Sequence, residues 1–234
     1  MRATPTILLT RPRAQSLRFA DQCRGAIRGD FDILIAPVIR IEPLSGVELP
    51  EAEAMIFTSE NAVDAVAGKT RPRPVPAFCV GEQTAIAAAR AGFVARAAGG
   101  NADSLAELIR QAGPQGRLLH PRGEHQTGDL AARLCADGMQ ATSVVVYRQV
   151  GRRLSVAARA VLGRQAPVIL PLFSQRSAQA ALSQIGVPGA PLHPVAISGR
   201  VADRVAALGA YRTVVSERPD AAGMVAAIAR LIDA

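Results

Sequence analysis

A chain of 234 residues, 49% hydrophobic and 20% charged, is long enough for two small cores and too apolar to remain unfolded. Its net charge of +8 comes with only 3% aromatics and no Trp, so the stacking platform of a single-strand nucleic-acid binder is missing, and no run reaches the ~18 apolar residues of a membrane helix. All the basic residues but Lys69 are Arg, and they are scattered, which suits an acidic small molecule at least as well as a nucleic acid.

In chain order, short apolar runs predict strands at 6–10, 32–36, 54–58, 76–80, 93–97, 117–120, 142–149, 167–173, 193–198 and 211–215. Ala-rich segments between them predict helices near 13–28, 60–67, 82–91, 103–112, 124–137, 154–163, 175–185, 200–208 and 220–232. This alternation describes βαβ units with parallel sheets. Gly92, Gly138 and Gly209 stand where left-handed helix caps are expected. Residues 36–44 and 142–149 break the alternation: both are extended and β-branched. Pairing of the two as a two-stranded bridge is an arrangement the sequence permits.

The chain also repeats itself. Gly81, Gly92 and Asp103 keep the same spacing as Ser198, Gly209 and Asp220, and Ser59 matches Ser174. A long period of this kind indicates duplicated structural units, and two units imply a cleft as the place for function.

Ligands of open α/β sheets bind past the carboxyl ends of the strands. Four strand-to-helix turns carry small hydroxyl or glycine residues there: 58–61 with Thr58 and Ser59, 81–84 with Gly81 and Thr84, 174–177 with Ser174 and Ser177, and 198–200 with Ser198 and Arg200. Helix N-termini with free N–H groups attract anions, although an ordinary N-cap needs the same residues. A fifth turn is expected at Pro121-Arg122-Gly123, after the strand LLH. No Walker motif, dinucleotide fingerprint or nucleophile elbow is present, so chemistry here depends on shaping and charge stabilisation. His120, His125 and His193 lack metal-ligand spacing, and no metal is expected. Cys23, Cys79 and Cys135, odd in number and far apart, read as buried reduced thiols of a cytoplasmic protein. The opening MRATPTILLTRPR has too short an apolar stretch for a signal peptide.

Several segments, in order, resemble uroporphyrinogen-III synthase: LLTRP (8–12), IFTSENAV (56–63), VGEQTA (80–85), NADSL (101–105), LLHPRGEHQTGDLAARLCADG (118–138), VVVYR (144–148), FSQRSA (173–178) and AISGRVADRVAALG (196–209). The resemblance spans nearly the whole chain. It implies an α/β fold of two similar flavodoxin-like parallel-sheet domains joined by a two-stranded β ladder. The domains would be 1–36 plus 150–234, and 43–142, with 37–42 and 143–149 as the ladder. It also implies a cofactor-free lyase acting on hydroxymethylbilane, a linear tetrapyrrole with eight carboxylates; the lack of a coiled-coil pattern or long apolar stripe in the sequence points to a monomer. Loss of the hydroxyl as water, inversion of the terminal ring through a spiro intermediate and ring closure would give uroporphyrinogen III. A transient contact with hydroxymethylbilane synthase belongs to the same expectation; nucleic acid and membrane do not.

By the same resemblance Tyr147 is the catalytic candidate, its alternative being a half-buried strand tyrosine. Thr84 binds substrate or caps its helix. Thr58, Ser59, Gly81, Gly123, Ser174, Ser177 and Ser198 would offer hydroxyls and backbone N–H groups to carboxylates. Arg11 and Arg122 are the cations for acetate and propionate groups, or surface ion-pair partners. Where many family members carry Gly-x-Thr, this chain has Ser198-Gly199-Arg200, so a threonine role is lost there and Arg200 is gained. A non-catalytic tetrapyrrole- or polyanion-binding module of the same fold is the alternative function.

Overall fold

A computed structural model describes residues 3–69, 74–125, 128–207, 209 and 212–233. The elements run β1 (Thr6–Leu9), α1 (Arg13–Ala26), β2 (Asp32–Ile35), β3 (Ile39–Pro43), β4 (Ala54–Phe57), α2 (Glu60–Val66), β5 (Pro76–Cys79), α3 (Glu82–Arg90), β6 (Val94–Ala97), α4 (Ala102–Ala112) and β7 (Arg117–Gly123). They continue with α5 (Leu130–Ala136), β8 (Gln140–Gly151), α6 (Val156–Leu162), β9 (Val168–Leu172), α7 (Gln175–Ile185), β10 (Leu192–Ala196), α8 (Gly199–Ala206), β11 (Val214–Val215) and α9 (Ala221–Asp233). The chain divides into two compact units: Met1–Arg40 with Val150–Ala234, and Ile41–Gln149.

In the first unit the sheet order is β11-β10-β9-β1-β2, and the second sheet runs β3-β8-β7-β4-β5-β6. The first sheet is parallel, and so are β7 with β8, β4 with β7 and β5, and β5 with β6. Counted along the chain, the first unit's strands lie 2-1-3-4-5 across its sheet. The second unit repeats that spatial order, with β7 and β8 in the places of β1 and β2 but later in the chain than β4 to β6. The register agrees too. Ala54 faces Leu118 in one sheet and Ile169 faces Ile7 in the other, which aligns Ser59 with Ser174 and Arg122 with Arg11. β3 adds an edge beside β8, with Leu44 N–H donating to Val146 O at 2.9 Å; in the first unit Arg152 N–H donates to Val38 O at 2.8 Å.

The central strands are buried on both faces, which explains their continuous apolar runs. Along β4 the faces alternate. Met55 and Phe57 pack with Val63 and Val66 of α2 and Ala88 of α3, while Ala54 and Ile56 pack with Leu105 and Ile109 of α4 and Leu134 of α5. In the first unit Ile7, Leu9 and Ile169 meet Phe19 of α1 and Met224 and Ile228 of α9.

Most predicted elements fall within two residues of those observed, and four expectations need correction. The segment Pro121-Arg122-Gly123 is strand, not turn: β4 pairs with β7 only to Leu119, but β8 pairs with it through Gly123. One neighbour suffices to carry a strand past a proline, and a bulge at Arg122/Gly123 absorbs the irregularity. The helix expected over 124–137 therefore starts at Leu130, where Asp129 caps it by accepting from Ala132 N–H at 3.1 Å; Gln126 and Thr127 lie outside the described residues. Cys135 is exposed, unlike Cys23 and Cys79, because α5 turns Leu130, Ala131 and Leu134 to the core and leaves Cys135 on its outer face. Finally, Asp220 is not the counterpart of Asp103. It caps α9 by accepting from Gly223 N–H at 2.7 Å, the role Asn101 plays for α4 towards Ser104 N–H at 2.8 Å. Gly92 and Gly138 have φ of 91° and 85°, as left-handed positions require. Leu208, Ala210 and Tyr211, at the ends of the expected helix and strand around Gly209, lie outside the described residues.

Gly223 offers a check on the α9 start. A Cβ there would fall against the backbone oxygen of Arg218 and lie 2.7 Å from Ser216 Oγ, which itself donates to Arg218 O at 2.6 Å. Gly223→Ala is expected to destabilise the fold by about 2 kcal/mol through overpacking. Urea denaturation would read the loss, and an unchanged midpoint would show that the turn before α9 yields.

Candidate functional site

Reversal of strand order on either side of the first-laid strand leaves a gap past the strand ends, and here that point lies at β4 and β7 in the second unit. A cavity of about 370 Å³ opens there, lined by Thr58, Ser59, His120, Arg122, Gly123 and Tyr147 from the strand ends, and by Asp129 and Arg133 at its α5 side. Thr58 and Ser59 follow β4; His120, Arg122 and Gly123 belong to β7; Tyr147 belongs to β8.

Tyr147 owes its place to the bulge. Slipping the register past Arg122 sets Gly123 opposite Tyr147. The ring then lies on the glycine so closely that a Cβ on Gly123 would come 2.7 Å from Cζ, 2.8 Å from Cε2 and 2.9 Å from Oη. Tyr147 is only 5% exposed, and its ring packs with the core on the α2 and α3 side of the sheet. Among the described residues its hydroxyl makes no hydrogen bond, while the side chain borders the cavity.

Arg122 is half-buried. Its Nη1 donates to Gly123 O at 2.9 Å and Glu124 O at 3.3 Å, which fixes the side chain, whereas its Nε is buried with no acceptor among the described residues. The Arg122 side chain lines the cavity, and a cationic donor group there favours an anion. His120, 3% exposed, lies between two hydroxyls: Nε2 is 3.1 Å from Thr58 Oγ1 and Nδ1 is 3.3 Å from Ser143 Oγ. Burial, aided by the Arg122 charge and opposed by Asp129, lowers its pKa from 6.5 to about 4, so the ring is neutral at pH 7. Among the described residues no cluster of His, Cys, Asp and Glu suited to a metal occurs.

The other candidates divide into caps and open N-termini. Ser59 Oγ accepts from Asn61 N–H at 3.2 Å, so its hydroxyl oxygen already caps α2. In the first unit Ser174 Oγ accepts from Ser177 N–H at 3.1 Å, and Ser177 Oγ donates to Ser174 O at 3.0 Å. Ser177 is buried and acts as part of the α7 start. Gly81 and Ser198 head α3 and α8 with no side-chain cap, although in the first turn of α8 Val201 N–H donates to Ser198 O at 3.1 Å. Thr84 is buried within α3, makes no cap and does not line the cavity. Arg200 is exposed at the α8 start, its carbonyl accepting from Gln175 Nε2 at 3.0 Å. Arg11 lies over the Phe173 ring, 4.0 Å from its centre, at the β1 end that matches the Arg122 position. Beside it the Thr10 hydroxyl is wholly buried with no partner among the described residues.

Thus the structure brings Thr58, Ser59, Arg122, Gly123 and Tyr147 together, and places Gly81 and Thr84 apart from that cavity. Arg11, Ser174, Ser177, Ser198 and Arg200 belong to the first unit. Sequence reasoning passed over His120 and Ser143. The one available signal was a polar residue closing the apolar strand LLH, which a search for metal spacing does not weigh.

The family described as uroporphyrinogen-III synthase HemD matches residues 22–226. The chain belongs to the uroporphyrinogen-III synthase family. It is accordingly an enzyme of tetrapyrrole biosynthesis, a cyclising lyase that forms uroporphyrinogen III from hydroxymethylbilane. Among solved structures, the uroporphyrinogen-III synthetase of Helicobacter pylori aligns over 99% of this chain and 100% of its own, with a TM-score of 0.68 at 18% identity. A mutant uroporphyrinogen III synthase from the extremely thermophilic bacterium Thermus thermophilus aligns over 99% of both chains, with a TM-score of 0.53 at 16% identity. At such identities these two show that the synthase fold is shared. No curated protein sequence matches the chain.

Proposed function

We propose that this synthase works by positioning and charge stabilisation alone, without a cofactor, and that the β4/β7 cavity holds the reacting end of hydroxymethylbilane. The observation that carries the reading is the cavity's composition: the Arg122 side chain, the Thr58 hydroxyl and Tyr147, whose hydroxyl makes no hydrogen bond among the described residues, gathered at the strand ends. Arg122 and Thr58 bind substrate carboxylates. Tyr147 Oη donates to the departing hydroxyl or orients the terminal ring. The pyrroles stabilise the electrophile left behind, so the protein need not supply a strong acid. What it must supply is geometry: unguided closure gives the uninverted isomer, and holding the terminal ring for attack at its substituted carbon decides the product.

Further anion donors in the reading are the helix starts without a side-chain cap at Gly81 and Ser198, with Arg11 and Arg200, whereas Ser59, Ser174 and Ser177 serve the helices that carry them and Thr84 is buried within α3. The same reading treats the units as flavodoxin-like, supported by the 2-1-3-4-5 strand order, and 37–42 with 143–149 as a connecting ladder between domains 1–36 plus 150–234 and 43–142. A monomer in the cytoplasm, meeting hydroxymethylbilane synthase only transiently, completes it. Exposed large apolar side chains such as Ile86 of α3, Val156 of α6 and Val187 after α7 lie on separate segments, and buried Cys23 and Cys79, raised to about 12 by burial, suit a reducing compartment. No observation favours the non-catalytic alternative.

The test is a coupled assay in which hydroxymethylbilane is generated in place and the oxidised products are separated into type I and type III isomers. Type III is expected; type I alone from folded protein would defeat the enzymatic reading. In the same assay Tyr147→Phe is expected to lower kcat roughly tenfold, the effect of one transition-state hydrogen bond, with the melting temperature kept. Complete loss in a folded variant would instead make Tyr147 the proton donor the reaction cannot do without.

A further inference from the structure

His120 of β7 faces Ser143 of the neighbouring β8, Thr58 follows β4 on the other side, and the two contacts of the imidazole link the three. A neutral imidazole has one N–H and one bare nitrogen, so the trio has two arrangements. In one, Nδ1–H donates to Ser143 and the Thr58 O–H is consumed on Nε2. In the other, Ser143 O–H donates to Nδ1, Nε2–H donates to Thr58 Oγ1, and the Thr58 hydrogen is free. The first presents the cavity with lone pairs only; the second presents a donor.

We propose that His120 is a positioning residue which, as the Nε2–H tautomer, fixes Thr58 Oγ1 as its acceptor and turns the Thr58 hydrogen into the cavity towards a substrate carboxylate. This rests on the carboxylate-binding reading of that cavity. Thr58 borders the cavity, and the described residues give its hydroxyl no partner other than His120. The Arg122 side chain lines the same space and brings its positive charge to it, which favours an incoming group that carries lone pairs rather than hydrogens. An anion there opposes the lone-pair arrangement and supports the donor one. The bonds then run in one direction, Ser143 to His120 to Thr58 to carboxylate, and each polarises the next. The charged groups around the ring are Arg122 on its own strand and Asp129 at the α5 start; the first disfavours a second proton on the imidazole and the second favours it. A doubly protonated ring would also leave the Thr58 hydrogen free, but would lose the Ser143 donor.

Two measurements on the full chain decide the matter. Long-range proton–nitrogen correlation spectra at pH 7 report the His120 tautomer, with and without uroporphyrin III, the octacarboxylate obtained by oxidising the product. The Nε2–H pattern is expected in its presence, and an Nδ1–H pattern there overturns the proposal. In kinetics, His120→Met removes the donor and is expected to raise KM about tenfold with kcat little changed, while His120→Gln, which can place an N–H near Nε2, restores most of it. Thr58→Val should match His120→Met, and the two together should be no worse than either. Additive losses overturn the positioning role even if the tautomer is as expected. If Thr58→Val leaves KM and the type III yield unchanged, the carboxylate reading of the cavity falls and takes the proposal with it; an Nδ1–H spectrum beside a raised KM in Thr58→Val sinks the His120 role alone. Should His120→Met fail to fold, the wild-type spectrum and the His120→Gln and Thr58→Val kinetics still separate these outcomes.

Discussion

Gly123→Ala is expected to cost about 2 to 3 kcal/mol of stability and about a hundredfold in type III formation. The added Cβ has nowhere to go. It would stand 2.7 Å from Tyr147 Cζ, and the ring is nearly buried against core side chains that cannot back away together. Overpacking a filled site typically costs about 1–3 kcal/mol, and this contact is at the tight end. Relief comes only by lifting the ring and its hydroxyl, and misplacing a group at the chemistry by about 1 Å costs about a hundredfold in rate. Backbone strain is not the cause, because Gly123 does not have a positive φ. The discriminating background is Tyr147→Leu, which shortens the side chain away from the clash. Urea denaturation should show Gly123→Ala costing far less there than in the native chain. An equal cost in both backgrounds would mean that the new methyl meets something other than the ring, and the account of how Tyr147 is seated would fail.

That seat also marks the limit of what the sequence displays. Strands such as ILL at 7–9 and MIF at 55–57 are apolar on both faces because helices cover both sides of a parallel sheet, and that alone makes them legible. Thr58, Ser59, Ser174 and Ser198 were legible as crest residues because a helix must begin with a small polar residue where a strand ends. The same rule conceals which of them are free. Whether the Ser59 hydroxyl caps Asn61 or meets a ligand depends on a rotamer, and the structure puts it on the cap. Pro121 misleads in the other direction. A proline with a glycine two residues on reads as a turn, but a strand needs only one partner, and β8 supplies it. The bulge that follows is set by a register between residues far apart in sequence, so neither the Gly123–Tyr147 contact nor the His120–Ser143 contact has a local signal. Likewise the alignment of Asp103 with Asp220 matched letters, whereas capping geometry matches Asn101 with Asp220; Asp103 instead forms an ion pair with Arg133.

The buried imidazole gives the second large expectation, a stability loss on acidification that follows His120. In the folded chain its pKa is about 4 and in the unfolded chain about 6.5, so between those values the unfolded state binds more protons. Stability from keeping the ring neutral is therefore complete above about pH 6.5 and is lost as pH falls towards 4. The separation corresponds to about 3 kcal/mol over that window, larger than the usual effect of a single substitution. Carboxylates titrate in the same range, so the informative quantity is the difference between the native chain and His120→Gln. The glutamine has no proton to take up. Its unfolding free energy should lie below that of the native chain at pH 7, and the gap should close, then reverse, as pH approaches 4. A gap that stays constant from pH 7 to 4.5 would place the His120 pKa near its ordinary value, which would require water to reach the ring. The same result would bear on function, because an imidazole that charges near pH 6 donates from both nitrogens and reverses the Ser143 hydrogen bond that selects its tautomer. Neutrality of His120 is thus one physical condition with two consequences, acid lability of the fold and a Ser143 hydroxyl that can donate to Nδ1 and so select the tautomer across the neutral range.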